Sequence, residues 1–151
     1  MWQPIGAEFD AEITVDAHGT AMADGGLCAT LRDLGRFGHL WLEQGRVDGL
    51  RIVPEDWVSD TLAGGDDSRE AFLPSGDFPE FPKAFYRNKW WVFDGERPRY
   101  SALGINGQKI WIDGPSQTVI VKLSTYPTAL DDARDRLTFA AASAIASVLD
   151  D

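Results

Sequence analysis

The chain has 151 residues, 44% hydrophobic and 25% charged, with 14 basic residues and a net charge of −10. That length suits one domain with its own core, and the dispersed basic residues exclude a nucleic-acid partner, since phosphate binding needs clustered Lys and Arg. The same acidity disfavours anionic membrane surfaces, and no apolar run approaches the roughly 20 residues of a membrane-spanning helix. "MWQPIGAEFD" shows neither a basic n-region nor an apolar h-region, so a cytoplasmic location is expected. Cys28 is the only cysteine, which excludes an internal disulfide, and it is expected to pack as a small hydrophobe. With only His18 and His39 beside it, neither a metal site nor a cofactor is expected.

In chain order, residues 1–26 are mixed: a short β-like start, a turn at "DAHG" and the Gly25-Gly26 pair. Thr30 and Asp33 then form a capping box with Asp in place of Glu. Leu31, Leu34, Phe37 and Trp41 repeat at helical spacing, with Leu40 beside them and Gly45 as a stop. Gly35 and Gly38 lie inside this helix at a cost of about 1 kcal/mol each relative to Ala, which predicts close packing against another element. Pro54-Glu55-Asp56 opens a second helix after a "VDG" turn.

From Ala63 to Lys89 the periodicity dissolves into a long loop with Pro74, Pro79 and Pro82 and four phenylalanines between 72 and 85. Such a loop either covers an apolar substrate with its rings or uses them as anchors. "KWWVF", "RYSALGI", "QKIWID" and "TVIVKLS" are four strands, and their short links imply antiparallel pairing. A closing helix runs from about Leu130 to Leu149. Its apolar face is read as Leu137, Ala141, Ala144 or Ile145, and Val148, with Asp131 and Asp132 at its positive end. The organisation is thus a helical segment (1–62), a long loop (63–89) and strands plus a C-terminal helix (90–151), an α+β class with an antiparallel sheet flanked by helices. Gly104 and Gly107 interrupt the strand region "SALGINGQKIWID". Glycine there implies either a bulge or a close approach, to a chain segment or to a substrate.

"GGLCATLRDLGRFGHLWLEQGRVDGLRIVPEDWV", followed at a distance by "YRNKWWVF" and "GINGQKIWIDGPSQTVIVKLS", resembles the serine β-lactamase-like hydrolases, closest to their esterase and 6-aminohexanoate-dimer hydrolase branch. The resemblance covers nearly the whole chain and implies the C-terminal portion of a β-lactamase/transpeptidase-like fold. The family's chemistry uses Ser-x-x-Lys, a Tyr or Ser motif ending in Asn, and Lys-Thr-Gly or a relative on a strand. None of the eight serines is followed three residues later by Lys. Tyr86-Arg87-Asn88 matches Tyr-x-Asn in letters but follows the "GGL…RFG" segment instead of preceding it. Tyr86 is therefore read as a cleft residue, not as the motif tyrosine.

Laying the third motif on this chain puts Ala102-Leu103-Gly104 where Lys-Thr-Gly falls, with Ala102 departing from the usual cation. The resemblance then implies that the backbone N–H of Ile105 is half of an oxyanion hole, a role needing no particular side chain. Gly104, Asn106 and Tyr86 are assigned to substrate binding. Two functions follow. One is part of a serine hydrolase that cleaves small esters or linear amides through an acyl-enzyme, this chain being inactive alone because it lacks the nucleophile motif. The other is a non-catalytic binding module that keeps the fold. In the family the last strand pairs with an N-terminal strand, so "TVIVKLS" is expected here as an exposed edge through which copies of the chain associate.

Overall fold

Alternation of large apolar residues from position 84 onward lays down the sheet around which the molecule is organised in the computed structural model, which describes residues 1–23, 25–72 and 78–150. Before the sheet, two short antiparallel ladders, β1 (Glu12–Ile13) with β2 (Leu27–Cys28) and β3 (Arg46–Val47) with β4 (Leu50–Arg51), flank helix α1 (Leu31–Leu42). Helices α2 (Glu55–Ala63) and α3 (Asp66–Phe72) follow. Strands β5 (Phe85–Arg87), β6 (Trp90–Asp94), β7 (Arg99–Gly104), β8 (Gln108–Asp113) and β9 (Thr118–Lys122) form one antiparallel meander in chain order. Helix α4 (Asp132–Leu149) closes the fold.

The four strands read from the sequence are present, and β5 adds a fifth at the edge. The register is continuous from Arg99↔Asp113 to Gly104↔Gln108 and from Lys109↔Lys122 to Asp113↔Thr118. The 63–89 stretch is not all loop, since it contains α3 and β5. No residue of α3 is buried, so it has no apolar stripe to betray it. Pro74 lies outside the described residues. Phe78 and Phe81 act as anchors: their ring centroids lie 5.6 and 4.4 Å from that of Phe93, and both meet Phe139.

Helix α1 begins as its capping residues predict. Thr30 Oγ1 accepts from the Asp33 amide at 3.1 Å and donates to Asp33 Oδ2 at 2.8 Å. Asp33 also accepts from the amides of Glu8 and Phe9 and from Arg36, so this fully buried carboxylate ties the N-terminal segment to the helix. Gly38 is the point of closest approach: a Cβ there would sit 2.5 Å from Val119 Cγ1 and 3.1 Å from Ile110 Cγ2. Gly35 has open space instead, and Leu31 is exposed, so the buried stripe is Leu40 and Trp41 with Phe37 beside them.

Period-two alternation sends Trp90, Val92, Tyr100 and Ile112 to the α1 side, where they pack with Leu40, Trp41, Val53, Val58 and Phe85. Phe93 and Trp111 face α4 and pack with Ala84, Phe139 and Ala142. The expected apolar face of α4 is not the inward one. Leu137 and Val148 are 71% and 74% exposed, and Phe139, Ala142 and Ala146 are buried. The rings of Phe93 and Trp111 already fill that side, so the helix presents one ring and small residues to them. Cys28, expected to be packed, is exposed on its two-residue strand. Among the described residues no helix is long and apolar enough to cross a membrane.

Candidate active-site cleft

Where β7 ends, the chain turns through a 3₁₀ turn over Ile105–Gly107 before entering β8. Both glycines of the turn answer to the chain's own packing. Gly104 is extended, and a Cβ there would lie 2.9 Å from Gln108 Cβ, its cross-strand partner. Gly107 has φ +85°, and a Cβ there would meet the Tyr126 ring at 2.5 Å. The approach is therefore to chain segments, whatever the turn does for a substrate.

The segment after β9 clamps this turn. The Asn106 amide donates to Ala129 O at 2.8 Å, and its carbonyl accepts from the Tyr126 amide at 3.1 Å. Asn106 Nδ2 donates to Tyr126 O at 2.9 Å and to Thr128 O at 3.3 Å. Gln108 holds Ser124 from both ends of its amide, Nε2 donating to Ser124 O and Oε1 accepting from Ser124 N. Asn106 is left-handed at φ 57°, a conformation Asn tolerates better than most residues. Its side-chain nitrogen, assigned to substrate from the sequence, is thus engaged with the backbone. Ile105, next to the clamped Asn106, is 65% exposed.

Beside the turn lies a cleft of about 480 Å³ lined by Trp91, Leu103, Gly104, Ile105, Lys109 and Asp135, among others. Gly104 and Ile105 thus reach it together. Tyr86 does not line it: its ring stands edge-on to Trp91 at 4.6 Å, one side chain behind the wall. The rest of Tyr86-Arg87-Asn88 is structural. Arg87 donates to both oxygens of Asp60 at 2.9 and 2.7 Å, and Asn88 Nδ2 donates to Asp60 Oδ2 and Thr61 Oγ1. These contacts, Arg87 first and Asn88 next, hold the Asp60 carboxyl below its ordinary range. Ala102, which the sequence resemblance lays on the family's cation, packs against the α1-side core.

Lys109 is the cleft residue that the sequence reading passed over. Its side chain is only 5% exposed, and its Nζ lies 2.9 Å from Asp135 Oδ1, an ion pair whose alignment is not that of a hydrogen bond. The ammonium also stands 5.9 Å from the Phe139 ring centroid. The signal was its parity, because Lys109 alternates with Trp111 and so had to point inward. The pair fixes the first turn of α4 to the sheet at the wall of the cleft. Together these elements offer a rigid turn amide, an aromatic wall and a paired buried cation around one concave space. Among the described residues no three His, Cys, Asp or Glu side chains are grouped to hold a metal ion.

The 6-aminohexanoate-dimer hydrolase of Paenarthrobacter ureafaciens is 43% identical over 127 residues, covering 84% of this chain and 32% of the relative. A solved structure from Bacillus anthracis, described as a 6-aminohexanoate-dimer hydrolase, matches with a TM-score of 0.75 and 30% identity over 96% of this chain and 35% of that one. No family model matches the chain. The chain spans about a third of the length of these relatives. The resemblance read from the sequence and the α+β fold with its antiparallel sheet are both borne out.

Proposed function

Because the chain is homologous to the C-terminal part of 6-aminohexanoate-dimer hydrolases, we propose that it supplies the sheet side of an acyl-transfer site that hydrolyses linear amides or esters. The observation that carries this reading is the placement of the Gly104–Ile105 backbone at the wall of the cleft, on a turn held rigid by the 124–129 segment. In this reading the Ile105 amide donates to the carbonyl oxygen as it gains negative charge. A donor fixed before reaction contributes more there than a mobile one, because it needs no reorganisation. Gly104 supplies backbone to the substrate path, and Trp91, backed by Tyr86, supplies an apolar wall for the chain beside the scissile bond. Asn106 acts on the turn and not on the substrate.

The nucleophile comes from a segment bearing Ser-x-x-Lys, which these 151 residues do not contain. The serine attacks the carbonyl, the amine or alcohol leaves, and water releases the acyl group. The test is complementation. Alone, the chain is expected to hydrolyse neither nitrocefin nor p-nitrophenyl esters above background. With the Ser-x-x-Lys-bearing portion of the Paenarthrobacter relative added in trans, turnover of esters or linear amides is expected. Robust hydrolysis by this chain alone, abolished by changing one of its own serines, overturns the assignment. The absence of Ser-x-x-Lys also favours a second reading, a binding module that keeps the fold, and binding of an amide without turnover in the complemented protein would select it.

A further inference from the structure

Strands β8 and β9 set Lys109 and Lys122 directly opposite each other, so both side chains rise on the α4 side of the sheet. There they line a groove of about 290 Å³ between the sheet and α4. Like charges paired in this way destabilise a sheet unless each finds a partner of its own. Lys109 takes Asp135. Lys122 is met instead by a carbonyl, a hydroxyl and a ring. Its Nζ donates to Gly107 O at 3.2 Å and to the Tyr126 hydroxyl at 3.0 Å, and stands 4.2 Å from the Tyr126 ring centroid. Chemistry fixes the direction of the bonds that follow. An ammonium only donates, so the Tyr126 oxygen accepts from Lys122. Thr138 Oγ1 donates its one proton to Arg134 O at 2.9 Å, and so accepts from Tyr126 at 3.1 Å. One line of donors therefore runs from Lys122 through Tyr126 and Thr138 to the backbone of α4, and every member belongs to this chain.

We propose that Tyr126 is a positioning residue for the Ile105–Gly107 turn at the cleft: its hydroxyl holds Lys122 on Gly107 O and ties the turn to α4. The contacts of Asn106 fasten the turn only to residues 126–129, which lie outside any helix or strand. Such a segment positions the turn no better than it is itself anchored. The line through Tyr126 supplies that anchor, because it ends on a helix and begins on a strand. The same residue closes on the turn with its ring, since a Cβ on Gly107 would meet that ring at 2.5 Å. Linked donors of this kind polarise one another, so removing the middle member weakens the whole line. That Tyr126 holds the turn stands on these contacts alone. What the held turn does for a substrate rests on the hydrolase reading. There a loosened oxyanion donor lowers kcat and leaves KM, because it acts on charge that develops in the transition state.

Amide hydrogen exchange of the 151-residue chain tests the hold directly. Tyr126→Phe keeps the ring against Gly107 and removes only the hydroxyl. It is expected to speed exchange of the Asn106 amide, which donates to Ala129 O, about tenfold. Trp111 and Ile112, inside β8, are expected to keep their rates. Lys122→Met is expected to speed Asn106 at least as much, and the double variant to add no more than about twofold, because the hydroxyl acts through the lysine. An unchanged Asn106 rate in Tyr126→Phe, a uniform rise that includes Ile112, or additive effects of the two substitutions overturn the proposal. If Lys122→Met does not fold, the Asn106 and Ile112 rates of Tyr126→Phe alone decide. In the protein completed with the Ser-x-x-Lys-bearing portion of the Paenarthrobacter relative, Tyr126→Phe is expected to lower kcat about fivefold with KM unchanged. Faster exchange with unchanged kcat upholds the hold on the turn and overturns the role given to Ile105 in the hydrolase reading.

Discussion

The two faces of the five-stranded sheet come from the same alternating strands, yet one is closed and the other open. Toward α1 and α2, Val92 and Ile112 are completely buried against Leu40, and Trp90 and Tyr100 interlock with Trp41. Burial pushes the Tyr100 phenol up, and its hydroxyl donates to Trp41 O at 2.8 Å. Toward α4, Phe93, Trp111 and Phe139 form a smaller aromatic cluster, bordered by a buried lysine, the cleft, the groove and exposed leucine and valine. The closed face holds the fold together. The open face leaves concave space and apolar surface for something other than the chain's own core.

If that contrast is right, truncation should cost unequal amounts on the two faces. Leu40→Ala, in the closed core, is expected to lose about 3–4 kcal/mol in urea unfolding. Phe139→Ala removes a larger side chain but opens onto existing cavities that can collapse or fill with water, so about 2 kcal/mol is expected. A larger loss for Phe139→Ala than for Leu40→Ala would break the comparison.

The clamped turn belongs with the closed face in stability although it borders the open one. Gly107→Ala places a side chain at φ +85° against the Tyr126 ring, so a loss of about 1–2 kcal/mol is expected by the same measurement. Unchanged stability would show that the 124–129 segment does not hold the turn.

Acid should weaken the anchoring of the closed face. The Asp33 carboxyl is held below its ordinary value by the Glu8 amide first, against the opposing effect of burial, and then by Thr30, Phe9 and Arg36. A depressed native value means that the unfolded chain takes up the proton more readily. The stabilisation is therefore complete above the unfolded value near pH ~3.9 and is lost as pH falls through the lower native value. Thermal melts should show Tm dropping below about pH 4, and Asp33→Asn should lower Tm at neutral pH and flatten that drop. A variant that keeps the wild-type pH profile would remove Asp33 from this role. The smallest effect is on the open face: Leu137→Lys should change unfolding free energy by no more than about 0.5 kcal/mol, despite replacing an apolar residue. A loss above 1 kcal/mol would mean that this surface is packed within the monomer.

Much of the architecture was legible because local chemistry and tertiary packing agree. Strand-like runs joined by turn residues between Trp90 and Lys122 pointed to the meander, and Thr30 and Asp33 to the start of α1, whereas Asp131, read only as an acid at the positive end of the last helix, is its cap, accepting from the Arg134 amide at 3.0 Å. The ordered motif set also carried the relationship to the hydrolases. Helix α3 was illegible, because it has no fully buried residue and only Phe72, at its end, packs against the aromatic cluster, which leaves no apolar period to read.

Helix α4 shows what only the tertiary structure decided. Its sequence contains two stripes with apolar character, Leu137–Ala141–Ile145–Val148 and Phe139–Ala142–Ala146, and hydrophobicity favours the first. Packing selected the second, because the rings of Phe93 and Trp111 left room for alanines but not for another row of large side chains. The same holds for Asn106, drawn from a supposed substrate contact into the clamp by a segment 20 residues away. Lys109 likewise acquired its partner Asp135 only when α4 crossed the sheet. Periodicity and capping are properties of neighbours along the chain, whereas the choice of a buried face and of a charge's partner depends on volume and position supplied by distant residues.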